Sequence, residues 1–221
     1  MTKSQELAQF IIDEKILSFG EFVTNSGRKS PYFCNFGNLC DPLGLEKLGS
    51  FYADKIIESF GKDVNNVFGP AYKGISLAIA TSLGLSKKLN KKVSFSFNRK
   101  ETKDHGEKGL FIGHSYTGSE KVVIVEDVLT SGKSLKQAYE LLETAPCEVL
   151  GSLVCIDRQE KALGKEESAL VSLEKETKKP VISLTTASEV LSFASSGGKL
   201  SLGANILEAI KTYQKNYLYV A

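Results

Sequence analysis

The sequence predicts an α/β protein with a central, mostly parallel sheet flanked by helices. From residue 64 onwards, short apolar runs alternate with amphipathic segments, which is typical of strand–helix–strand units. The run Lys121–Val125 holds four consecutive β-branched residues, as expected of a strand buried on both faces. The 221 residues are 42% hydrophobic and 24% charged, which suits one folded domain.

The elements follow in order along the chain. The first part predicts a helix over about 4–17, an antiparallel ribbon over 22–36 that turns at Ser26-Gly27, and a helix over 43–60 that stops at Gly61. Apolar runs predict strands over 64–68, 93–97, 121–125, 150–156 and 181–184. Helical periodicity predicts helices over 75–85, 134–144, 189–193 and 204–217.

Composition argues against several classes of protein. The net charge of +2 is too close to balance to indicate a nucleic-acid or membrane-surface partner. The longest uncharged apolar stretch, around 74–86, is far shorter than the roughly 20 residues of a membrane span, and the N-terminus lacks a signal-peptide core. No two of Cys34, Cys40, Cys147 and Cys155 have CxxC spacing, so we expect reduced thiols in a cytoplasmic protein.

Polar residues directly follow four of the predicted strands. These segments are Tyr72-Lys73, Asn98-Arg99-Lys100, Glu126-Asp127 and Asp157-Arg158. Because ligands of parallel sheets bind outside the carboxyl ends of the strands, we expect the four segments to form one site. A solvated loop would account for any single one of them.

The acidic pair Glu126-Asp127 is followed by a short polar turn, Thr130–Ser134, that enters a helix. Adjacent carboxylates at a strand end lose hydration, and a cation or the vicinal hydroxyls of a ribose would offset that cost. The N-terminus of that helix favours a phosphate, because its backbone N–H groups and its dipole attract an anion. The alternative is a plain strand end with Ser131 or Ser134 as a helix cap. A Walker loop is not predicted, because its first glycine would have to replace Asp127.

The segment Val122–Ser134 resembles the 5-phosphoribosyl-1-pyrophosphate (PRPP) motif of type I phosphoribosyltransferases: an apolar run, two acids, two apolar residues, Thr, a small residue and Gly. Four further segments narrow the resemblance to the orotate phosphoribosyltransferase family. They are Ser26–Phe33, Phe68–Gly74, Phe97–Glu107 and Asp157–Glu160. The resemblance runs from about residue 10 to 217.

The resemblance implies a type I phosphoribosyltransferase fold in a single domain, 1–221, with a small hood lobe formed by about 1–42 and the C-terminal segment. It implies transfer of the phosphoribosyl group from PRPP to orotate, giving orotidine 5′-monophosphate and pyrophosphate in pyrimidine biosynthesis. It also implies a homodimer in which the loop 98–109 closes as a lid over the neighbouring subunit. Mg²⁺ is expected to arrive with PRPP, without dedicated protein ligands, and neither nucleic acid nor membrane is an expected partner.

The same resemblance implies the residues of the site. PRPP is expected to contact Tyr72, Lys73, Arg99, Lys100, Lys103, His105, Glu126, Asp127, Val128, Leu129, Thr130, Ser131, Gly132, Lys133 and Ser134. Orotate is expected to contact Phe33, Cys34, Thr130 and Arg158, with Arg158 gripping its carboxylate through a bidentate fork. Catalytic roles are expected for Arg99, Lys103, His105 and Asp127.

Alternatives stay open for several of these assignments. Without the resemblance, 98–109 is a solvated loop, Arg158 forms a surface ion pair with Asp157 or Glu160, and Phe33 packs in the core. For the whole protein, the alternatives are a phosphoribosyltransferase for another base and a non-catalytic PRPP sensor that binds nucleic acid. The near-neutral charge disfavours the sensor.

The chain departs from the family pattern at four positions. Asn25 stands where a lysine usually precedes Ser-Gly-Arg-Lys-Ser-Pro, Glu126 where the first acid is often Asp, Lys133 where a small residue is usual, and Cys34 where Phe is frequent. At Lys133 we expect the backbone amide, not the side chain, to serve the 5-phosphate. Asn25 can donate a hydrogen bond but cannot neutralise a phosphate or carboxylate.

Asn25→Lys is therefore expected to lower the Michaelis constant for PRPP or for orotate, because it restores a positive charge to the site. Steady-state kinetics with each substrate varied in turn would measure the change. If neither constant moves, position 25 has no role in binding.

Overall fold

The computed structural model describes residues 1–24, 27–99, 109–196 and 203–219. Two strands, β1 (Leu17–Val23) and β2 (Lys29–Cys34), form an antiparallel ribbon of their own. The central sheet contains β3 (Asn66–Phe68), β4 (Ser94–Asn98), β5 (Phe111–Gly113), β6 (Lys121–Leu129), β7 (Glu148–Asp157) and β8 (Val181–Thr186). The helices are α1 (Lys3–Asp13), α2 (Pro42–Phe60), α3 (Lys73–Leu89), α4 (Lys133–Leu142), α5 (Ala169–Thr177), α6 (Ala187–Ser196) and α7 (Ala204–Tyr217).

The central sheet has the strand order β5-β4-β3-β6-β7-β8. All neighbouring pairs from β4 to β8 are parallel, and only β5 runs antiparallel, against β4 at the edge. The predicted α/β fold with a mostly parallel sheet is thus confirmed. In the described part of the chain, no helix has the length and apolarity needed to cross a membrane.

Helices cover both faces of the sheet, and β6 is buried between them. Val123 and Val125 pack into a large apolar cluster that includes α2 residues such as Ile56. Val122 and Ile124 point the other way, into a smaller cluster that includes α4 residues. This alternation is the period of two of a strand, and it confirms the predicted strand buried on both faces.

The ribbon and the terminal helices lie against this core. α7 packs on β2, and α1 packs on α6. These elements include much of the predicted hood, 1–42 with the C-terminal segment, and its division from the rest of the domain stays a prediction.

Two predicted boundaries were wrong, and two elements were not predicted. β6 does not end at Val125 but continues through the acidic pair to Leu129, because Val128 and Leu129 pair with β7. The first helix ends at Asp13, since the chain from Leu17 already belongs to the ribbon. β5 and α5 were not predicted; β5 has only three residues, too few to show a periodicity.

Two glycines allow α2 and α3 to approach closely. A Cβ atom on Gly49 would lie 2.3 Å from the carbonyl oxygen of Ala80, and one on Gly84 would lie 2.7 Å from the carbonyl oxygen of Gly49. Backbone atoms at these distances can yield only if the helices separate.

Gly49→Ala is expected to lower the free energy of unfolding by about 2 kcal/mol, because overpacking outweighs the better helix propensity of alanine. Urea unfolding monitored by circular dichroism measures this change in the free energy of unfolding. Gly203→Ala is the matched control, since a Cβ atom there meets no atom of the described residues within 4 Å. Equal midpoints for the two variants would contradict the close contact.

Candidate functional site

The carboxyl ends of β4, β3, β6 and β7 lie side by side at one edge of the sheet. The segments that follow them are joined by direct contacts. The amide of Ala71 donates to Asn98 Oδ1 (2.8 Å), and the amide of Arg158 donates to the carbonyl oxygen of Leu129 (3.2 Å). The structure therefore brings together the four polar segments that the sequence placed in one site.

Glu126 points toward α4. Its Oε2 accepts a 2.5 Å hydrogen bond from Ser134 Oγ, and its Oε1 accepts from the amide of Asp127 (3.2 Å). Burial and the neighbouring charge of Asp127 raise the pKa of Glu126 to about 7, against the opposing effect of the Ser134 hydrogen bond. Near neutral pH this carboxyl group is therefore divided between its ionised and protonated forms.

Asp127 points to the opposite face of the sheet, because successive residues of a strand alternate. Its Oδ2 lies 3.4 Å from Lys73 Nζ at the start of α3, and its Oδ1 accepts from the amide of Val128 (2.8 Å). The sequence treated the two acids as one pair. In the structure they lie on the two sides of the sheet, so a ligand that contacts both must lie across the end of β6.

The loop after β6 borders a cleft of about 370 Å³. The cleft is lined by residues 128–135, Glu126, Pro70 and Asn98, among others. Gly132 has φ +76°, the left-handed conformation that favours glycine, and it precedes α4 directly. Among the described residues, no acceptor takes the amides of Ser131 and Gly132. Such amides at a helix N-terminus suit a phosphate.

The turn between β3 and α3 carries Tyr72 and Lys73 toward the same edge. A Cβ atom on residue 69 would lie 1.9 Å from the carbonyl oxygen of Gly74, so only glycine fits at Gly69. The Ala71–Tyr72 peptide bond is cis. The Tyr72 side chain is 68% exposed, which leaves it accessible to a ligand.

Arg158 is almost fully buried, with 2% of its surface exposed. Its Nε donates to Glu160 Oε1 (2.6 Å), and its Nη2 donates to Ser30 Oγ (2.9 Å) and to Tyr213 Oη (3.1 Å). The alternative ion pair with Glu160 is thus present, but it is buried and not on the surface. The predicted bidentate grip on a ligand carboxylate is not available in this arrangement, because Nε and Nη2 already have acceptors. Nη1 is the guanidinium nitrogen that these three residues do not contact.

Phe33 and Cys34 lie on opposite faces of β2, one partly exposed and one buried. The Phe33 ring stacks on Phe22 with centroids 5.4 Å apart. This contact lies within the ribbon, and Phe33 belongs to neither apolar cluster of the described residues, so the alternative of core packing is not what the structure shows. Burial raises the pKa of the Cys34 thiol to about 11, against the opposing positive charge of Arg158. Cys34 is therefore a neutral group beside Arg158, and the contacts of both residues with a pyrimidine stay predictions.

Several predicted site residues lie outside the described part of the chain, namely Asn25, Lys100, Lys103 and His105. Arg99 is described, and its amide donates to the carbonyl oxygen of Leu110 (2.9 Å). In the described ranges, no group of three or more His, Cys, Asp or Glu side chains is placed to hold a metal ion.

The sequence missed two residues of the site, Ser30 and Tyr213. Ser30 lies inside a motif that the sequence did single out, but nothing there indicated a contact with Arg158. Tyr213 lies on α7, 55 residues beyond Arg158, and reads locally as one more apolar residue of an amphipathic helix.

The chain matches the phosphoribosyl transferase domain family over residues 38–188. It is 40% identical over 217 residues to the orotate phosphoribosyltransferase of Clostridium botulinum, covering 96% of each chain. It is 40% identical over 218 residues to that of Cupriavidus metallidurans, covering 97% of this chain and 95% of the relative. A crystal structure of orotate phosphoribosyltransferase from Francisella tularensis is 32% identical, with a TM-score of 0.77 over 96% of this chain and 99% of that chain. These matches confirm the predicted type I fold.

Ser134→Ala is expected to raise the pKa of Glu126 above about 7, because the hydroxyl that stabilises its ionised form is lost. An NMR titration of the side-chain carboxyl carbon of Glu126 measures the shift. Ser131→Ala is the matched control in the same loop, since no hydrogen bond joins Ser131 to Glu126 in the described structure. The same pKa in both variants would contradict the role of Ser134.

Proposed function

We propose that this chain, which belongs to the phosphoribosyltransferase family and within it to the orotate phosphoribosyltransferases, transfers the 5-phosphoribosyl group of PRPP to orotate. The products are orotidine 5′-monophosphate and pyrophosphate. The observation that carries this proposal is the meeting of Glu126, Asp127, Lys73 and the loop before α4 at one edge of the sheet.

The ribose 5-phosphate half of PRPP occupies the cleft beside α4. Backbone amides and hydroxyls of residues Thr130 to Ser134 hold the 5-phosphate, because donors at a helix N-terminus stabilise an anion. Val128 and Leu129 continue β6 and line the cleft. Glu126 and Asp127 accept hydrogen bonds from the ribose hydroxyls, and the ribose lies across the end of β6, where both faces can be reached.

The pyrophosphate half lies toward Tyr72, Lys73 and Arg99. As the bond to pyrophosphate breaks, positive charge grows on the ribose and negative charge on the leaving group. Lys73 and Arg99 stabilise the leaving group, joined by Lys100, Lys103 and His105 of the 98–109 lid. Asp127 takes a catalytic role by stabilising the positive charge of the sugar, once the phosphates have drawn Lys73 away from it. The lid excludes water from the reacting bond.

The base half of the site lies between the ribbon and the end of β7. Phe33, Cys34, Thr130 and Arg158 are the groups that orotate contacts, and the positive charge of Arg158 favours the orotate carboxylate. Cys34 stays neutral because burial raises its pKa. The base is therefore held by one cation and by neutral groups.

Mg²⁺ fits this site as an ion that PRPP brings with it. The described residues offer only two carboxylates here, Glu126 and Asp127, and they lie on opposite faces of the sheet. Mg²⁺ commonly binds substrate phosphates together with one or two carboxylates. The phosphates of PRPP would therefore supply its ligands, without dedicated protein ligands, and it would neutralise negative charge on the leaving pyrophosphate.

The working form is a homodimer in which each lid closes over the neighbouring site. An apolar surface on α3, the helix that begins at Lys73, supports it: Ile79 and Leu83 are 42% and 47% exposed. They are four residues apart, so they lie on one side of the helix, and exposed apolar patches of this kind often mark interfaces. Light scattering after size exclusion measures the mass, and a monomer that stays active would contradict lid sharing.

With PRPP and Mg²⁺ present, the purified protein is expected to consume orotate, measured as loss of ultraviolet absorbance. Lys73→Gln should raise the Michaelis constant for PRPP at least about tenfold, because a hydrogen bond to a charged group contributes about 1.5–3 kcal/mol. Lys55→Gln is the matched control, since Lys55 pairs with Glu58 on α2.

If the protein uses uracil or a purine and not orotate, it is a phosphoribosyltransferase for another base. No turnover with any base would overturn the proposed function.

A further inference from the structure

A cluster of buried charges lies behind the base half of the site, and we call it the arginine cluster. Its members are Arg28, Ser30, Arg158, Glu160 and Tyr213. Glu160 is 1% exposed. Its Oε2 accepts from Arg28 Nη1 (2.7 Å), and its Oε1 accepts from Arg158 Nε (2.6 Å) and from Tyr213 Oη (2.7 Å). One carboxylate therefore faces two guanidinium groups.

The arginine cluster carries an excess of positive charge. Two guanidinium groups against one carboxylate leave a formal charge of +1 among its described members. Burial raises the pKa of Tyr213 to about 12, so this phenol stays neutral and does not compensate. The nearby Asp157 accepts from the amide of Gln159 (2.8 Å) and forms no ion pair with the described residues. An unmatched buried charge is unfavourable, and an anionic ligand would relieve it.

Arg28 is satisfied within the protein, because its Nη2 also donates to the carbonyl oxygen of Lys161 (2.8 Å). Arg158 is the member nearer to the acid-bearing strand, since its amide bonds to the carbonyl oxygen of Leu129. Arg158 is therefore the member that links the arginine cluster to the sheet edge, and its guanidinium is buried.

Three different segments fix the orientation of the Arg158 guanidinium. Glu160 holds Nε, while Ser30 of β2 and Tyr213 of α7 hold Nη2. The group also lies 4.3 Å above the Tyr32 ring, which prevents it from tilting. Nη1 is not taken by these three segments, and the neutral Cys34 thiol is a further hydrogen-bonding neighbour of the guanidinium.

We propose that Glu160 and Tyr213 are positioning residues that hold Arg158 so that Nη1 meets the carboxylate of the base. They thereby determine the preference for a pyrimidine that carries a carboxylate. The inference rests on the proposed function, since it assumes that the base is orotate. It also assigns to α7 a part in substrate recognition, because Tyr213 reaches Arg158 from that helix.

Tyr213→Phe keeps the ring and removes the hydroxyl that contacts both Glu160 and Arg158. Loss of hydrogen bonds to two charged groups is expected to raise the Michaelis constant for orotate about tenfold. The turnover number and the Michaelis constant for PRPP should stay within about twofold, because the PRPP half of the site lies on other elements. A merely structural role would change both Michaelis constants or neither.

Tyr139→Phe is the matched control. Tyr139 is a buried tyrosine on α4 that belongs to the smaller apolar cluster, and its variant should leave the Michaelis constant for orotate unchanged. Glu160→Gln is a second variant, expected to weaken orotate binding more than Tyr213→Phe, because it leaves both guanidinium groups without a counter-charge. Thermal melts identify the folded variants; if Glu160→Gln does not fold, Tyr213→Phe alone decides.

The wild-type assay separates the two proposals. If the wild type does not use orotate, the proposed function fails, and the positioning role fails with it. If the wild type uses orotate and folded Tyr213→Phe keeps its Michaelis constant for orotate, only the positioning role is overturned. Equal rises in the constants for orotate and PRPP would overturn it as well.

Discussion

The parallel pairing of β6 with β3 on one side and β7 on the other is the constraint on which the site depends. Phe68 of β3 lies beside Ile124, and Val128 lies beside Ile156 of β7. This pairing brings the ends of neighbouring strands to one edge and decides the face that each carboxylate takes. A slip of one residue would exchange the faces of Glu126 and Asp127, and it would also move the apolar residues that precede them into the opposite cluster, which is packed around other side chains. The burial of β6 therefore fixes the geometry of the acids.

The separation of the two acids gives each a different environment. Glu126 is buried against α4, where desolvation and a neighbouring charge raise its pKa to about 7 and a serine hydroxyl holds it. Asp127 lies on the other face, beside the ammonium group of Lys73. The two adjacent acids therefore offer a ligand different groups. Glu126 can exchange a proton near neutral pH, whereas Asp127 is already paired with a cation. When neighbouring carboxyl groups have different environments, their pKa values differ, and each can take a different role in the same site.

The arginine cluster connects the ribbon, the end of β7 and α7. Buried ion pairs contribute little net stability, since desolvation offsets their attraction, and apolar residues of similar volume would often serve the fold as well. What these groups supply is orientation: Glu160, Ser30 and Tyr213 take specific donors of Arg158. The ribbon and α7 thereby orient a side chain of the site, although neither lines the cleft beside α4.

The sequence by itself determined the fold class, the order of most helices and strands, and the four polar segments at the sheet edge. These follow from local periodicity and from a contiguous motif, and both are written in neighbouring residues. The tertiary structure decided the faces of Glu126 and Asp127, the continuation of β6 to Leu129, and the contacts of Arg158. Each depends on partners distant in the chain: the first two on β7, and the third on Ser30 and Tyr213. No local pattern of residues records which distant side chain will fill a hydrogen bond, because that depends on how separate elements pack.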